Sequence, residues 1–199
     1  MSMGGSSALD TEQALDKVMT RVIVGAYNTE WPLMFERIRS YVWPAVTDVA
    51  INVEHVGSTA VPELAAKPVI DATIVVATRA QVPLGIKRLA ELGYVHRGNL
   101  GVEDREAFAQ PEGLPRHNLY LSPLDGLSLR SHLGLRDYLR AHPHMAKQYG
   151  ELKMRLAERF ADDTDRYVDG KTEFILEVLR QIGLSQDELA AIERINRLA

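Results

Sequence analysis

The chain reads as an α/β (α+β) protein, with a mixed-sheet core in front and a C-terminal helical module behind. Three observations predict this. The segment Val69–Val76 is rich in Val and Ile, as expected of a strand buried on both faces. Residues 94–122 break into short extended pieces separated by Gly, Asn and Pro, which suggests an antiparallel meander. From Leu127 onward the apolar residues recur at helical spacing.

The elements follow in order. Asn28 or Thr29 can cap a first helix whose apolar stripe is Trp31, Phe35, Ile38 and Val42. Strands are expected at about Asn52–Val56 and Val69–Val76. Gln81–Leu92 reads as a helix with Leu84, Leu89 and Leu92 inward and Gly93 as its stop. Extended pieces come at Tyr94–Arg97, Glu106–Gln110 and Asn118–Ser122. Helices are then expected at Leu129–Ala141, Pro143–Phe160 and Asp165–Ile182. A last helix starts at Ser185, with Glu188 completing an S-x-x-E capping box. Residues 1–20 are expected to be a frayed or expression-derived tail, 21–126 the core, and 127–199 a helical module packed on it as one compact unit.

The 199 residues suffice for one sizeable core. Apolar residues make up 46% and charged residues 25%, ordinary for a globular protein. A net charge of −4 argues against a duplex nucleic acid partner. The absence of cysteine excludes disulfides and thiolate metal sites and fits a cytoplasmic location. No apolar run has membrane-spanning length and no leader pattern is visible, so no membrane association is expected.

The chemistry concentrates between Asn52 and Val76. A strand runs into Gly57-Ser58-Thr59, and Asp71 lies near the start of what should be the neighbouring strand. Gly57 lets backbone approach a ligand closely. Ser58 can cap the following turn, and its hydroxyl with the N–H groups beyond can cradle phosphate. A carboxylate at Asp71 can hold Mg²⁺ against phosphate oxygens. The plain alternative is a strand-to-helix turn with a capping serine, and an Asp71 paired with Lys67.

The stretch E-H-V-G-S-T-A-V-P-x-L-A-A-K-P-V-I-D resembles the signature of the GrpB family, a domain also found fused to the carboxyl terminus of some dephospho-CoA kinases. The resemblance extends through Y-N-T-E-W-P-L-M-F-E-R-I-R, R-H-N-L-Y-L, the long L-R-D-Y-L-R-A-H-P segment, and Y-x-x-x-K-x-x-F-I, from about Val24 to Ile182. It implies a nucleotidyltransferase-like core. Active nucleotidyltransferases usually carry Asp-x-Asp or Asp-x-Glu on the strand after the Gly-Ser corner, placing two acids on one face for two metals. Here the second position is Thr73, and the strand expected to supply a third acid offers His117 and Asn118. A single Mg²⁺ held by Asp71 and the nucleotide's phosphates is the remaining arrangement. The family usually has glycine where this chain has Glu63. If that position needs positive φ, glutamate costs about 1 kcal/mol.

Further candidates follow. His55, Asp71 and His117 would form a two-His, one-carboxylate site if they converge, with Asp71 and His55 as metal ligands and Asp71 and His117 as catalytic groups. The alternative is that each histidine is a satisfied core residue. Lys153 and Lys171 fall in the apolar stripes of their helices, where an unpaired ammonium is expensive, so an anionic centre would explain them. Snorkelling or internal ion pairs would also do so, and for Arg136 and Arg140 ion pairs are the better account. With Lys67, Gly57, Ser58 and Thr59 these lysines form the expected phosphate-binding set. Tyr120 and Trp31 are packing residues or base-stacking groups.

Two functions compete, with a third possibility that the fold binds a nucleotide as a sensor without turnover. In one, the protein binds a nucleotide such as ATP with Mg²⁺ and transfers a nucleotidyl group. In the other, it is a non-catalytic folding-accessory or interaction domain for dephospho-CoA kinase. It lacks that kinase's G-x-x-x-x-G-K-[ST] loop.

Overall fold

The computed structural model describes residues 21–197, and the expected tail lies outside them. Helix α1 (Trp31–Val46) enters after Asn28, whose side chain accepts from the Glu30 N–H at 2.9 Å. Its predicted stripe is buried, with Ile38 and Val42 wholly so. Strand β1 (Ala50–Val56) ends at the Gly-Ser corner, a 3₁₀ turn covers Ser58–Ala60, and β2 (Ile70–Val76) returns antiparallel to β1. Between turn and return strand, Gly25 and Ala66 exchange two backbone hydrogen bonds, of 3.0 and 2.9 Å, tying the entering chain to the loop.

Helix α2 (Val82–Glu91) departs from its sequence reading. Leu84 is exposed, and the buried positions are Gly85 and Leu89. A methyl at Gly85 would meet Leu121 Cδ1 at 2.7 Å, so the helix approaches the sheet through the residue with no side chain. An apolar-pattern reading passes over a glycine and assigns the contact to its neighbour.

Strands β3 (Val95–His96), β4 (Glu106–Ala109) and β5 (His117–Pro123) form the predicted antiparallel series. β5 also pairs parallel to β2, giving one mixed sheet in the order β1-β2-β5-β4-β3. This is the mixed-sheet core expected of the sequence: a strand, a Gly-Ser corner, and a neighbouring strand that carries the acid. Helices α3 (Leu127–Ala141), α4 (Pro143–Arg159), α5 (Thr164–Gln181) and α6 (Gln186–Asn196) follow. The capping box at Ser185 and Glu188 is present.

Strand register sorts the side chains. Val56 pairs with Asp71 and Asp71 with Asn118, so these three share one face. Thr73, Tyr120 and Ser122, at even spacing from them, share it too. The other face carries His55, Ala72, Ile74, His117 and Leu119. There α1 and α2 close the main core with Phe35, Ile38, Val42 and Leu89. The Asp71 face is covered by the helical module. Among the described residues no helix is long and apolar enough to cross a membrane.

Candidate functional site

The site is built on the Gly57 corner. Gly57 has φ +69°, and a Cβ there would lie 2.3 Å from Asp71 Oδ2. Any other residue would strike the carboxylate, so the glycine is required both by its backbone and by what sits against it. Ser58 opens the 3₁₀ turn and lines the adjoining cavity. Thr59 is buried, and its hydroxyl shares a 3.0 Å hydrogen bond with His55 Nε2, so it supports the corner from behind. Downstream, Glu63 has φ +63°. The left-handed conformation expected at this position is present, with glutamate bearing it at about 1 kcal/mol.

Asp71 accepts from Asn118 Nδ2 at 2.8 Å through Oδ1, while Oδ2 faces the corner. Burial pushes its carboxyl above the ordinary range; Asn118 and the charges of Lys171, Lys67 and Arg105 act in the opposite direction. Lys171 lies 5.0 Å over the Tyr167 ring, and burial brings its ammonium down to about 8 against the pull of Asp71. Lys67 is half-buried and lowered, first by burial and then by the charge of Arg116, while Asp71 raises it. Lys153 is 1% exposed, its Nζ has no hydrogen-bond partner, and it lies 4.7 Å over the Tyr149 ring. Burial and Lys171 hold it well below the usual lysine range, with Asp71 again opposing. The lysines at 67, 153 and 171 are thus each coupled electrostatically to the Asp71 carboxylate.

The histidines do not join them. His55 pairs with Ala72, one residue out of phase with Asp71, and its ring stacks on Phe35 at 4.7 Å on the core face. Burial, with Arg140 and Arg136 nearby, lowers it to about 4. His117 precedes Asn118 and points to the same core face. Its Nδ1 donates to the Pro115 carbonyl at 2.6 Å, which leaves Nε2 to accept from the Tyr94 hydroxyl at 2.8 Å. The expected His55–Asp71–His117 metal site therefore does not form, because strand alternation sends the acid and the imidazoles to opposite sides. Among the described residues no group of three or more His, Cys, Asp or Glu is placed to hold a metal. The one carboxylate present, Asp71, is a hard oxygen donor that would fit a single Mg²⁺ and not a pair. At the second-acid position Thr73 is 1% exposed, with its hydroxyl unpartnered.

Arg136 donates to Glu54 at 2.7 Å and to the His55 carbonyl at 2.9 Å. Arg140 donates twice to the Ala60 carbonyl, at 2.9 and 2.7 Å. These arginines fasten α3 to both sides of the corner, in keeping with the structural account of them. Trp31 is core, 3% exposed.

A cavity of about 650 Å³ opens from Gly57, Ser58 and Asp71 into the helical module. Two of its liners that sequence reasoning passed over bear on its chemistry. Arg105 lies 4.6 Å over the Tyr120 ring with Nε unpartnered. His132, near the same ring, is lowered to about 4 by burial and by Arg105, so it is neutral at physiological pH. Arg105 comes from an irregular loop with positive φ at Leu100, Gly101 and Asp104, where periodicity carries no signal.

The family described as GrpB protein matches residues 21–181. The chain belongs to this family. It is 33% identical over 159 residues to the UPF0157 protein YqkA of Bacillus subtilis; the match covers 78% of this chain and 45% of that one, less than half of the relative. The crystal structure of conserved protein GrpB from Enterococcus faecalis superposes with TM-score 0.70 at 31% identity, over 86% of this chain and 98% of that one. A more remote likeness, at 13% identity and TM-score 0.47, is to terminal uridylyl transferase 4 from Trypanosoma brucei with bound UTP, over 94% and 67% of the two chains.

Proposed function

We propose that this protein binds a nucleoside triphosphate at the Gly57–Asp71 corner and passes its nucleotidyl group to a hydroxyl or amine. The observation that carries the reading is the corner itself, packed so closely on the acid that a Cβ at Gly57 would lie 2.3 Å from Asp71 Oδ2, with the charges of Lys171, Lys67 and Arg105 acting on that carboxylate. Backbone at Gly57 and Ser58 would approach the phosphates, and the lysines would offset their charge. One Mg²⁺ would sit on Asp71 and the phosphates and supply further charge neutralisation there. In the transfer, the acceptor's lone pair forms a bond to the α-phosphorus. The bond from that phosphorus to the bridging oxygen breaks, pyrophosphate leaves with the electron pair, and the acceptor proton goes to solvent. The protein's part is positioning and electrostatic stabilisation, with Lys171, Lys67 and Arg105 meeting the charge on the leaving pyrophosphate.

Titration calorimetry with ATP, GTP, CTP and UTP in the presence of Mg²⁺ tests this. At least one should bind, and Asp71→Ala should weaken that binding about tenfold or more. Absence of binding by all four, or unchanged binding by the variant, would overturn it. An Asp71→Ala protein that still captured a dephospho-CoA kinase would favour the association role instead.

A further inference from the structure

The cavity is larger than its phosphate-fitting corner. About 650 Å³ is in the range of sites that enclose a whole small molecule. On α5 the cavity stripe runs Val168, Lys171, Ile175 and Leu179, about 16 Å along one face, and only Lys171 in it is charged. The C-terminal half of α6 stands beside that stripe and supplies Ile192, Arg194 and Ile195. Ile192 packs on the small core of Leu176, Leu179 and Leu189. Ile195 is 45% exposed, an aliphatic side chain the core does not use. Arg197 anchors the helix end through Asp169 and Glu173 of α5 at 3.3 and 3.4 Å. All of α6 lies beyond residue 181, where the family match ends.

We infer that α6 is a specificity wall, against which the nucleoside part of the bound nucleotide rests on Ile195 and Ile192 with Arg194 beside it. This rests on the nucleotide reading above and assigns the selection among nucleotides to a helix outside the matched span. An aliphatic surface beside a cation suits a flat heteroaromatic ring with polar edges, and the same cavity is continuous with the corner that fits the phosphates.

The test compares inorganic tripolyphosphate, which has no nucleoside, with the four nucleoside triphosphates, on wild type, Ile195→Ala and Arg194→Ala. Both positions are exposed, so the variants should melt as the wild type does. The expected result is that nucleoside triphosphate binding weakens about fivefold in each variant while tripolyphosphate binding is unchanged. If tripolyphosphate binds wild type as tightly as every nucleotide, or both variants bind nucleotides like wild type, the wall is refuted and the corner stands. If wild type binds neither class, the nucleotide reading itself falls.

Discussion

On the sheet face covered by α1 and α2, His55 has Thr59 as partner and His117 has both Tyr94 and the Pro115 carbonyl. On the face covered by the helical module, Thr73 Oγ1, Ser122 Oγ, Lys153 Nζ and Arg105 Nε have none. Arg88 Nε of α2 is also unpartnered, but the same guanidinium holds Asp48. Buried polar groups are ordinarily satisfied, and each exception asks for a reason. One face has its polar groups paired within the chain, whereas the other carries buried polar atoms that the chain leaves without a hydrogen-bond partner. Stability and ligand binding are therefore expected to separate by face.

The largest effect that would break this contrast is on the paired face. Phe35→Ala removes an aromatic core ring and the stack on His55, and should cost about 3–5 kcal/mol in urea unfolding while leaving any nucleotide affinity of the folded protein intact. An affinity loss in the folded fraction would show that the faces are coupled.

Acidity comes next. His55 has a folded value of about 4 against an ordinary 6.5, so the unfolded chain takes up its proton first as pH falls. Stability should decline from pH 6.5 and level off below 4, by about 3 kcal/mol from this group. On the other face Lys171 has a folded value of about 8 against 10.5. Its contribution rises with pH between those values, because the unfolded state then holds the extra proton. Anion binding should do the reverse and weaken above about pH 8, unless Lys171→Arg keeps the charge.

Lys153→Met exchanges a buried amine without a partner for an apolar chain of similar length. The unliganded protein should gain about 2 kcal/mol, read by thermal or urea unfolding, and lose much of its stabilisation by nucleotide. A loss of stability would place a partner on Lys153 and weaken the contrast. The smallest effect is a matched pair. Thr59→Val strands His55 and should cost about 1–2 kcal/mol, whereas Thr73→Val removes a hydroxyl without a partner and should be neutral or stabilising by about 1 kcal/mol.

The sequence made this contrast only half legible. The stripe of α1, the Ser185 capping box and the stop at Gly93 were readable because each is a local signal, and Gly93 does adopt φ +87°. The corner, Asp71 and the stripe lysines were readable because their chemistry conflicts with their setting. The face of each histidine was not. For His55 it depends on a register set across the 57–69 loop, where shifting one strand by a single residue would have brought His55 to Asp71, and for His117 on the pairing of β5 with β2. Leu84 was misplaced because the contact belongs to Gly85, which has no hydrophobicity to read. Arg105 and His132 reach the cavity from a loop and a different helix, brought together by tertiary folding alone.

The hold of α3 on the corner also bears on how the chain can be divided. Arg136 caps the His55 carbonyl ahead of the glycine and Arg140 the Ala60 carbonyl after it. The turn that faces the acid is thus shaped by residues about eighty positions away. A fragment ending at Gly126 would inherit every residue of the corner but neither of the arginines that hold its carbonyls. The connection between sheet and helices is a seam in the sequence and not in the machinery.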